Sequence, residues 1–403
     1  MVNSLKRKRI AIVTSFHRLG QWRGIMRFGQ LAGWICQRHD RESLDRLAAW
    51  KPDGILFQVD EFDEPLLHYV RETQVPRVGL RALHGQEEDS PLILLDLADF
   101  ARQVAEHFVA SNYRRICYLG PHSDFTANAT NTHVRGLRRV AEQRKISLEC
   151  IFPDQEDSWR KLGLPYQENH STGWHRFWEL GPALIDHLLA DPEPVALFSA
   201  YVEPAMEFME MVDEREIAIP DRIGMAAQTE DALNGTVTKV PLTCLVPDFE
   251  RQGYEAAALL DQILKGRPVP KNFRKFIKAG ELFARESSNQ IVTGDPLVRE
   301  MMDHLRKNAL HADFTPAALA EAFRCSLRLV QLRFQTSLGR GVAEVIREFR
   351  TRRAADLILN SKIPMQQIVC DCGYSDHHQL ARSIRKEFGK TPSELRRSVA
   401  GDN

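Results

Sequence analysis

Over the first three quarters of the chain, short apolar runs alternate with longer stretches in which apolar residues return every three or four positions. The runs are Arg9–Phe16 (RIAIVTSF), 53–59 (DGILFQV), 75–81 (VPRVGLR), 92–97 (LILLDL), 114–121 (RRICYLGP), 147–153 (SLECIFP), 194–200 (PVALFSA), 222–228 (RIGMAAQ) and 242–248 (LTCLVPD). Most are rich in aliphatic and β-branched residues and bounded by turn formers, which is the pattern of strands buried on both faces. Helical periodicity fills the intervals, as at Gln21–Gln37 and Ala98–Ala110. Strand and helix in alternation predict βαβ units and a mainly parallel sheet. The stretch to residue 288 is long for one doubly wound sheet, so two lobes are expected. The chain should pass between them near 112–120 and return near 240–250 and 275.

After a polar, turn-rich linker at 289–296 the pattern becomes purely helical, from 297 to 403. Leu297–Ala309 carries Val298, Met301, Met302 and Leu305 at helical spacing. Thr315 and Pro316 suit the N-cap and first position of a helix ending near Phe323. Arg324-Cys325-Ser326 then makes a short turn, and Ser326 caps Leu327–Ser337, which buries Val330 and Phe334. The pattern repeats: a helix opens at Pro364, Gly373-Tyr374-Ser375 turns with glycine at positive φ, and Ser375–Glu387 buries Leu380 and Ile384. Helix, short turn, helix is the helix-turn-helix pattern, expected here at 315–337 and 364–387. The helix between them, Gly341–Asn360, buries Ile346, Phe349, Leu357 and Ile358 and offers Arg347, Arg350 and Arg353 as a solvated basic face. A helix of about 20 residues spans roughly 30 Å, near the 34 Å of one DNA turn. Two second helices could therefore enter successive major grooves.

Charge sharpens this division. The 403 residues carry 54 basic and 54 acidic side chains, a balance that taken whole argues against a nucleic-acid coat protein. Residues 1–296 hold 36 basic and 42 acidic side chains, and residues 297–403 hold 18 and 12. An acidic body with a basic tail points to a polyanion partner for the tail alone. The start, MVNSLKRKRIAIVTSF, lacks a long apolar core and a small-residue cleavage site. No apolar stretch of about 18 residues exists, so no membrane span is expected. Seven scattered cysteines fit free thiols and a cytoplasmic location. Cys370 and Cys372 lack a second ligand pair at zinc spacing, so no metal or cofactor is expected. The nucleotide-loop, nucleophile-elbow and zinc-protease signatures are absent, and no enzyme is expected.

Candidate chemistry follows from position. On the first recognition helix, Arg328 and Gln331 can bind guanine or adenine edges, as His377, His378, Gln379, Arg382 and Lys386 can on the second. Ser326, Arg333 and Ser375 complete the DNA-facing set. In the body, a ligand belongs in the cleft at the carboxyl ends of the strands. That rule selects Ser15, His17, Gln58, Asp60, His122, Ser199, Tyr201, Thr229 and Asp248. Each could equally be a turn residue or helix cap. Trp22, Trp174 and Trp178 are read as packing on the sheet, with stacking on a ligand as the alternative.

Two resemblances fit this layout. Strand order, Asp53-Gly54-Ile55-Leu56-Phe57, Val75-Pro76-Arg77-Val78-Gly79, Gln252-Gly253-Tyr254-Glu255-Ala256-Ala257 and Ala284-Arg285-Glu286-Ser287-Ser288 make residues 9–287 resemble the periplasmic-binding-protein/lactose-repressor-type effector domain. Ser326, Arg328, Arg333-Phe334, Ala354, Leu357-Ile358, Ile368, Cys372-Gly373-Tyr374, Phe388-Gly389-Lys390-Thr391-Pro392 and Ser393-Glu394-Leu395-Arg396 make the tail similar to an AraC-type DNA-binding domain. Together they resemble the layout of xylose-operon-regulator-like transcription factors. The implied fold is an α/β two-lobed periplasmic-binding-protein-like effector domain over 1–288, followed by an all-α domain with two helix-turn-helix motifs. The implied partners are operator DNA, a small-molecule effector, a second copy in a homodimer, and RNA polymerase. The departures are specific. His133 stands three residues before Gly136, where the effector family usually has an effector-contacting Arg, and His133 joins the effector-site candidates on that ground. Thr229 and Glu230 stand where it usually has Asp, often Asp-Asn, and Ala227 replaces its usual Gly. An Arg–Asp pair suits dense hydroxyl recognition, so the resemblance does not by itself carry a sugar ligand across. A degenerate, ligand-independent lobe and a solute-binding sensor are the alternatives. In the tail, Leu332 stands where Arg is frequent, Ile384 replaces a common Phe, and Leu395 a Tyr or Phe.

Overall fold

A computed structural model describes residues 7–15, 18–59, 63–81, 90–122, 132–166, 177–361 and 363–400. The chain divides into two compact units, residues 1–190 with 195–290, and residues 191–194 with 291–403.

The first unit holds two six-stranded sheets. One contains β1 (Arg9–Thr14), β2 (Ile35–His39), β3 (Gly54–Gln58), β4 (Arg77–Gly79), β5 (Leu92–Leu95) and β11 (Arg274–Ile277), in the order β11-β5-β4-β3-β1-β2. The other contains β6 (Arg115–Leu119), β7 (Ser147–Ile151), β8 (Val195–Ser199), β9 (Ile223–Gln228), β10 (Thr243–Val246) and β12 (Glu281–Phe283), in the order β12-β10-β9-β8-β6-β7. Pairings are parallel except β10 with β12, where Cys244 stands opposite Phe283. β3 and β8 are buried at every residue, as continuous apolar runs require. The helices are α1 (Leu19–Ala32), α2 (Leu44–Trp50), α3 (Glu64–Glu72), α4 (Leu97–Ala110), α5 (His133–Arg144), α6 (Glu156–Lys161), α7 (Phe177–Leu189), α8 (Val202–Glu214) and α9 (Phe249–Leu264).

Two sequence expectations for the first unit are corrected. The helix expected through Gln37 stops at Ala32, where Gly33 takes φ 68° and donates back to the last turn. Such a left-handed residue ends a helix, and only glycine adopts it without strain. The chain then forms β2, paired in parallel with β1 from Arg9 opposite Ile35. The first passage between lobes lies at Asp96, not at 112–120. Asp96 caps α4 through Asp99 N at 3.0 Å, and α4 already packs on α5 of the second lobe. The returns lie at Pro247-Asp248 and between β11 and β12, close to expectation. After β12, residues 284–288 form a bonded turn. Ser287 Oγ donates to Met225 O at 2.6 Å and accepts from Thr243 N at 2.8 Å. Arg285 donates to Leu242 O and Ala232 O, each at 2.8 Å.

Helix α9 lies against α1 backbone to backbone. A Cβ added at Gly253 would sit 2.1 Å from Gln21 O, and one at Gly24 would sit 1.9 Å from Glu250 O. Between them two buried amides bond, Gln21 Nε2 donating to Gln252 Oε1 at 2.7 Å. Gln252 Nε2 in turn donates to Leu80 O at 2.9 Å and Ile93 O at 2.8 Å, which ties the helix pair to the ends of β4 and β5.

The second unit is helical: α10 (Pro296–Asn308), α11 (Pro316–Ala322), α12 (Leu327–Leu338), α13 (Val342–Asn360), α14 (Met365–Asp371), α15 (His377–Phe388) and α16 (Pro392–Ala400). It has two apolar centres. Val298, Met302, Leu319, Val330, Phe334 and Ile346 meet in the first. Ile358, Ile368, Cys372, Leu380, Ile384 and Leu395 meet in the second. Helix α13 contributes its first half to one and its second half to the other, so it is the shared spine of two similar helix pairs.

The solvated face expected on α13 is corrected at one residue. Arg350 is turned inward, donating to Ala309 O at 2.7 Å, His311 O at 2.8 Å and Phe314 O at 3.0 Å. It satisfies the carbonyls that α10 and the following turn leave open. Arg347 and Arg353 are exposed as expected.

Candidate functional site

The cleft of the first unit is built at the carboxyl ends of both sheets. Arg18, just ahead of α1 in the first lobe, meets Glu230, just after β9 in the second, at 2.9 Å. Arg81 of the first lobe and Tyr201 and Glu203 of the second act on the Arg18 charge, and burial lowers its pKa below the ordinary arginine value. A donor and an acceptor, both charged, thus meet across the lobes. On the first-lobe side, Thr14, Arg18, Gln21, Gln58 and Leu80 line a cavity of about 20 Å³, room for roughly one water.

The sequence-selected residues fall into distinct groups. His17 and Asp60 lie outside the described residues, as does Trp174. Ser15 Oγ donates to Asp63 Oδ2 at 2.9 Å, and Gln58 is buried on the cavity wall. His122 is held by its backbone N–H on the Asp154 carboxylate at 3.0 Å, and its ring lies edge-on to Phe152. Ser199 is buried and donates to Tyr201 O at 2.7 Å, while the Tyr201 side chain is exposed. Thr229 Oγ donates to Asp231 O at 3.2 Å and accepts from Asn234 Nδ2 at 2.8 Å. Asp248 caps α9 through Arg251 N at 2.9 Å. Trp178 was expected to pack on the sheet but is 65% exposed.

His133 has the clearest local account. It opens α5, is buried, and has both ring nitrogens engaged within the second lobe. Nε2 stands 2.9 Å from Gln228 Oε1 and Nδ1 stands 3.2 Å from the Tyr118 hydroxyl. The Gln228 amide oxygen accepts from Nε2, and Nδ1 pairs with the Tyr118 hydroxyl. Its neighbour on the helix, Gly136, permits α4 to approach, since a Cβ there would sit 2.1 Å from Ala98 O. Sequence reasoning missed Arg18 and Glu203 and noted Glu230 only as a replacement. Arg18 follows the strand end by a few residues, and nothing in its type or spacing distinguishes it.

In the second unit the two helices expected to read DNA, α12 and α15, are built alike. Ser326 caps α12 through Leu329 N at 3.2 Å, and Asp376 caps α15 through Gln379 N at 2.8 Å. Gly339 and Gly389 end them at φ 67° and 68°. Val330 and Phe334 point inward from one, Leu380 and Ile384 from the other. Arg328 and Gln331 are exposed on α12, and His377, His378, Gln379, Arg382 and Lys386 on α15, all free of a packing role. Ser375 is exposed and bonds Asp376 at 3.1 Å, and the helix expected from Ser375 begins at His377. Arg333 is paired at 2.8 Å with Asp295, the N-cap of α10. Burial would raise the Asp295 carboxyl, but Arg333 and the first amides of α10 outweigh it and hold it below the usual range. Any DNA phosphate that takes Arg333 must compete with this carboxylate.

Residues 319–398 match the helix-turn-helix domain family, and residues 105–288 match the periplasmic binding protein-like domain family. The chain joins an effector domain of the periplasmic-binding-protein type to an AraC-type helix-turn-helix domain. It is homologous to regulators along both. The xylose operon regulatory protein of Haemophilus influenzae is 22% identical, with 85% of this chain and 84% of that one covered. The Escherichia coli K12 protein of the same name is 21% identical over 88% and 86%. The structure of a xylose-binding transcription activator superposes at a TM-score of 0.58, covering 98% of this chain and 99% of that one at 17% identity. These relatives are transcription regulators, and no helix among the described residues is long and apolar enough to cross a membrane.

Proposed function

We propose that this chain is a transcription regulator that grips a specific operator with α12 and α15 and answers to a small hydroxylated ligand in its cleft. The observation that carries the DNA part is the doubled, outward-facing recognition helix. Two similarly capped helices present Arg, Gln and His side chains that make no contribution to the core. Arg and Gln can each form two parallel bonds to one purine edge, which is what distinguishes one base pair from another. A homodimer would double the contact at paired half-sites, and RNA polymerase is the partner an activator would require. No catalytic role is assigned to any residue. Arg328→Ala is expected to cost about 1–3 kcal/mol and to relax preference at a single base pair. Binding to a panel of operator variants at fixed salt checks this. A uniform loss on every sequence would reduce Arg328 to a phosphate contact.

The ligand part rests on Arg18 and Glu230, a charged donor and acceptor across the cleft. Such a pair recognises vicinal hydroxyls, since one partner donates and the other accepts with charge assistance. The homologues' names point to xylose as the first ligand to try. A ligand that binds the closed lobes better than the open ones shifts the equilibrium by that difference and no more. A thermal-shift screen of the full chain with aldoses and polyols should give a stabilising ligand whose effect disappears in Arg18→Met. The small cavity and the engaged His133 favour a second reading, a lobe that works without ligand. A screen with no stabilising sugar would establish it over the first.

A further inference from the structure

On α12 the centre of the outward face is apolar. Leu332 is 62% exposed, and Leu329, one turn back on the same side, is 36% exposed. Thr336, a turn further on, is also exposed. These three stand at helical spacing on the side opposite Val330, Phe334 and Leu338, which are buried. Exposed leucines are ordinary on a protein surface, and Leu31 and Leu233 are more exposed than Leu332. Position separates Leu332 from them. The two recognition helices correspond with a constant offset in sequence, Ser326 to Asp376, Val330 to Leu380, Phe334 to Ile384 and Gly339 to Gly389. On that offset Leu332 falls where α15 has Arg382, and Leu329 where it has Gln379. Both partners on α15 are exposed polar side chains suited to purine edges. The first helix therefore offers a hydrocarbon surface where the second offers donors, and Arg328 and Gln331 border it.

We propose that Leu332, with Leu329 beside it, reads the 5-methyl groups of thymines in the major groove. The inference rests on the operator-binding reading above and assigns a base class to its first half-site. The thymine methyl is the one apolar group a base pair presents in the major groove, and aliphatic side chains recognise it by excluding water. DNA is favoured as the occupant because the basic and amide side chains bordering the patch match phosphates and base edges. The two half-sites should accordingly differ, the one under α12 being thymine-rich and the one under α15 selected through donors to purines.

The test uses the full chain and an operator selected from random duplexes at fixed salt. Each thymidine is replaced in turn by deoxyuridine, which removes one methyl and nothing else. One or two positions in the half-site under α12 should weaken binding about fourfold each, the factor expected for one buried methyl. Leu332→Ala should bind the thymidine and deoxyuridine forms alike. Alanine is the best helix former and the site is exposed, so the fold is kept. Leu332→Arg should exchange the thymine preference there for guanine. Deoxyuridine without effect at every position, or a full effect retained in Leu332→Ala, would overturn the proposal while operator binding stands. So would a Leu332→Ala chain that binds DNA normally but no longer self-associates, since the face would then belong to a second copy. Failure to select any preferred, salt-sensitive sequence would overturn the operator reading and this inference together.

Discussion

Arg350→Met is expected to lower the stability of the helical unit by about 3 kcal/mol and its melting temperature by roughly 10–20 °C. The guanidinium donates to three carbonyls, Ala309 O, His311 O and Phe314 O, all within 3.0 Å. Bonds from a charged donor are worth about 1.5–3 kcal/mol each when buried. Arg350 is half-buried, so water can replace part of that on its removal, which brings the total down to about 3. Burial acts against the charge, and the nearby Tyr374 hydroxyl acts for it, with the net result that its pKa is lowered. Lysine at this position has one compact ammonium in place of a planar fork, so Arg350→Lys should recover at most about a third to a half of the loss. Arg347, exposed and 3.7 Å from Glu344, serves as the control, and Arg347→Met should stay within about 0.5 kcal/mol. The segment that Arg350 holds leads directly into Thr315, the N-cap of α11, so operator affinity should fall together with stability. Denaturant unfolding and duplex binding on the same preparations check both. A stability unchanged within about 0.5 kcal/mol would mean that water satisfies the three carbonyls unaided.

Arg350 also shows what kind of information sequence pattern carries. Strands buried on both faces were legible because burial itself writes a continuous apolar run, as in β3 and β8. The edge strand β2 was not, since most of its residues face solvent and its sequence, ICQRH, carries no run. Periodicity identified the faces of α12 and α15 through Val330, Phe334, Leu380 and Ile384, and local caps marked their ends. It could not identify Arg350 as an inward residue, because an arginine that satisfies distant carbonyls looks in sequence like any solvated arginine. The exposed faces of the two helices, with Arg328, Gln331 and Arg382 on them, were legible because they follow from the same periodicity. The cleft was less so. Asp248 and Thr229 stand at strand ends as expected, yet their side chains serve a helix cap and a turn. The pair that meets across the lobes, Arg18 and Glu230, is joined by tertiary structure alone, more than 200 residues apart in sequence. At Leu332 the departure from the family's frequent Arg leaves an apolar side chain 62% exposed.

Gln252→Met is expected to destabilise the first unit by about 3 kcal/mol, with nearly the same volume and shape retained. The side chain makes three buried bonds, accepting from Gln21 at 2.7 Å and donating to Leu80 O at 2.9 Å and Ile93 O at 2.8 Å. A neutral bond contributes about 1 kcal/mol net, and a buried polar group stripped of its partner costs about 1–3. Space decides that water cannot step in. Helices α1 and α9 approach so closely at Gly24 and Gly253 that an added Cβ would meet backbone oxygen at 1.9 and 2.1 Å. A double-mutant cycle separates the terms. Gln21→Met alone should cost less, since Gln252 keeps its two carbonyls. The double variant should be less destabilised than the sum, because neither amide is left facing a thioether. Strict additivity would show that the two amides do not interact, and that the helix pair is held by packing alone. The functional consequence follows from what the network joins. It links the ends of β4 and β5 to α9 and then to α1, directly behind Arg18. If a ligand acts through the Arg18–Glu230 pair, Gln252→Met should weaken its thermal shift as well as lower the starting melting temperature.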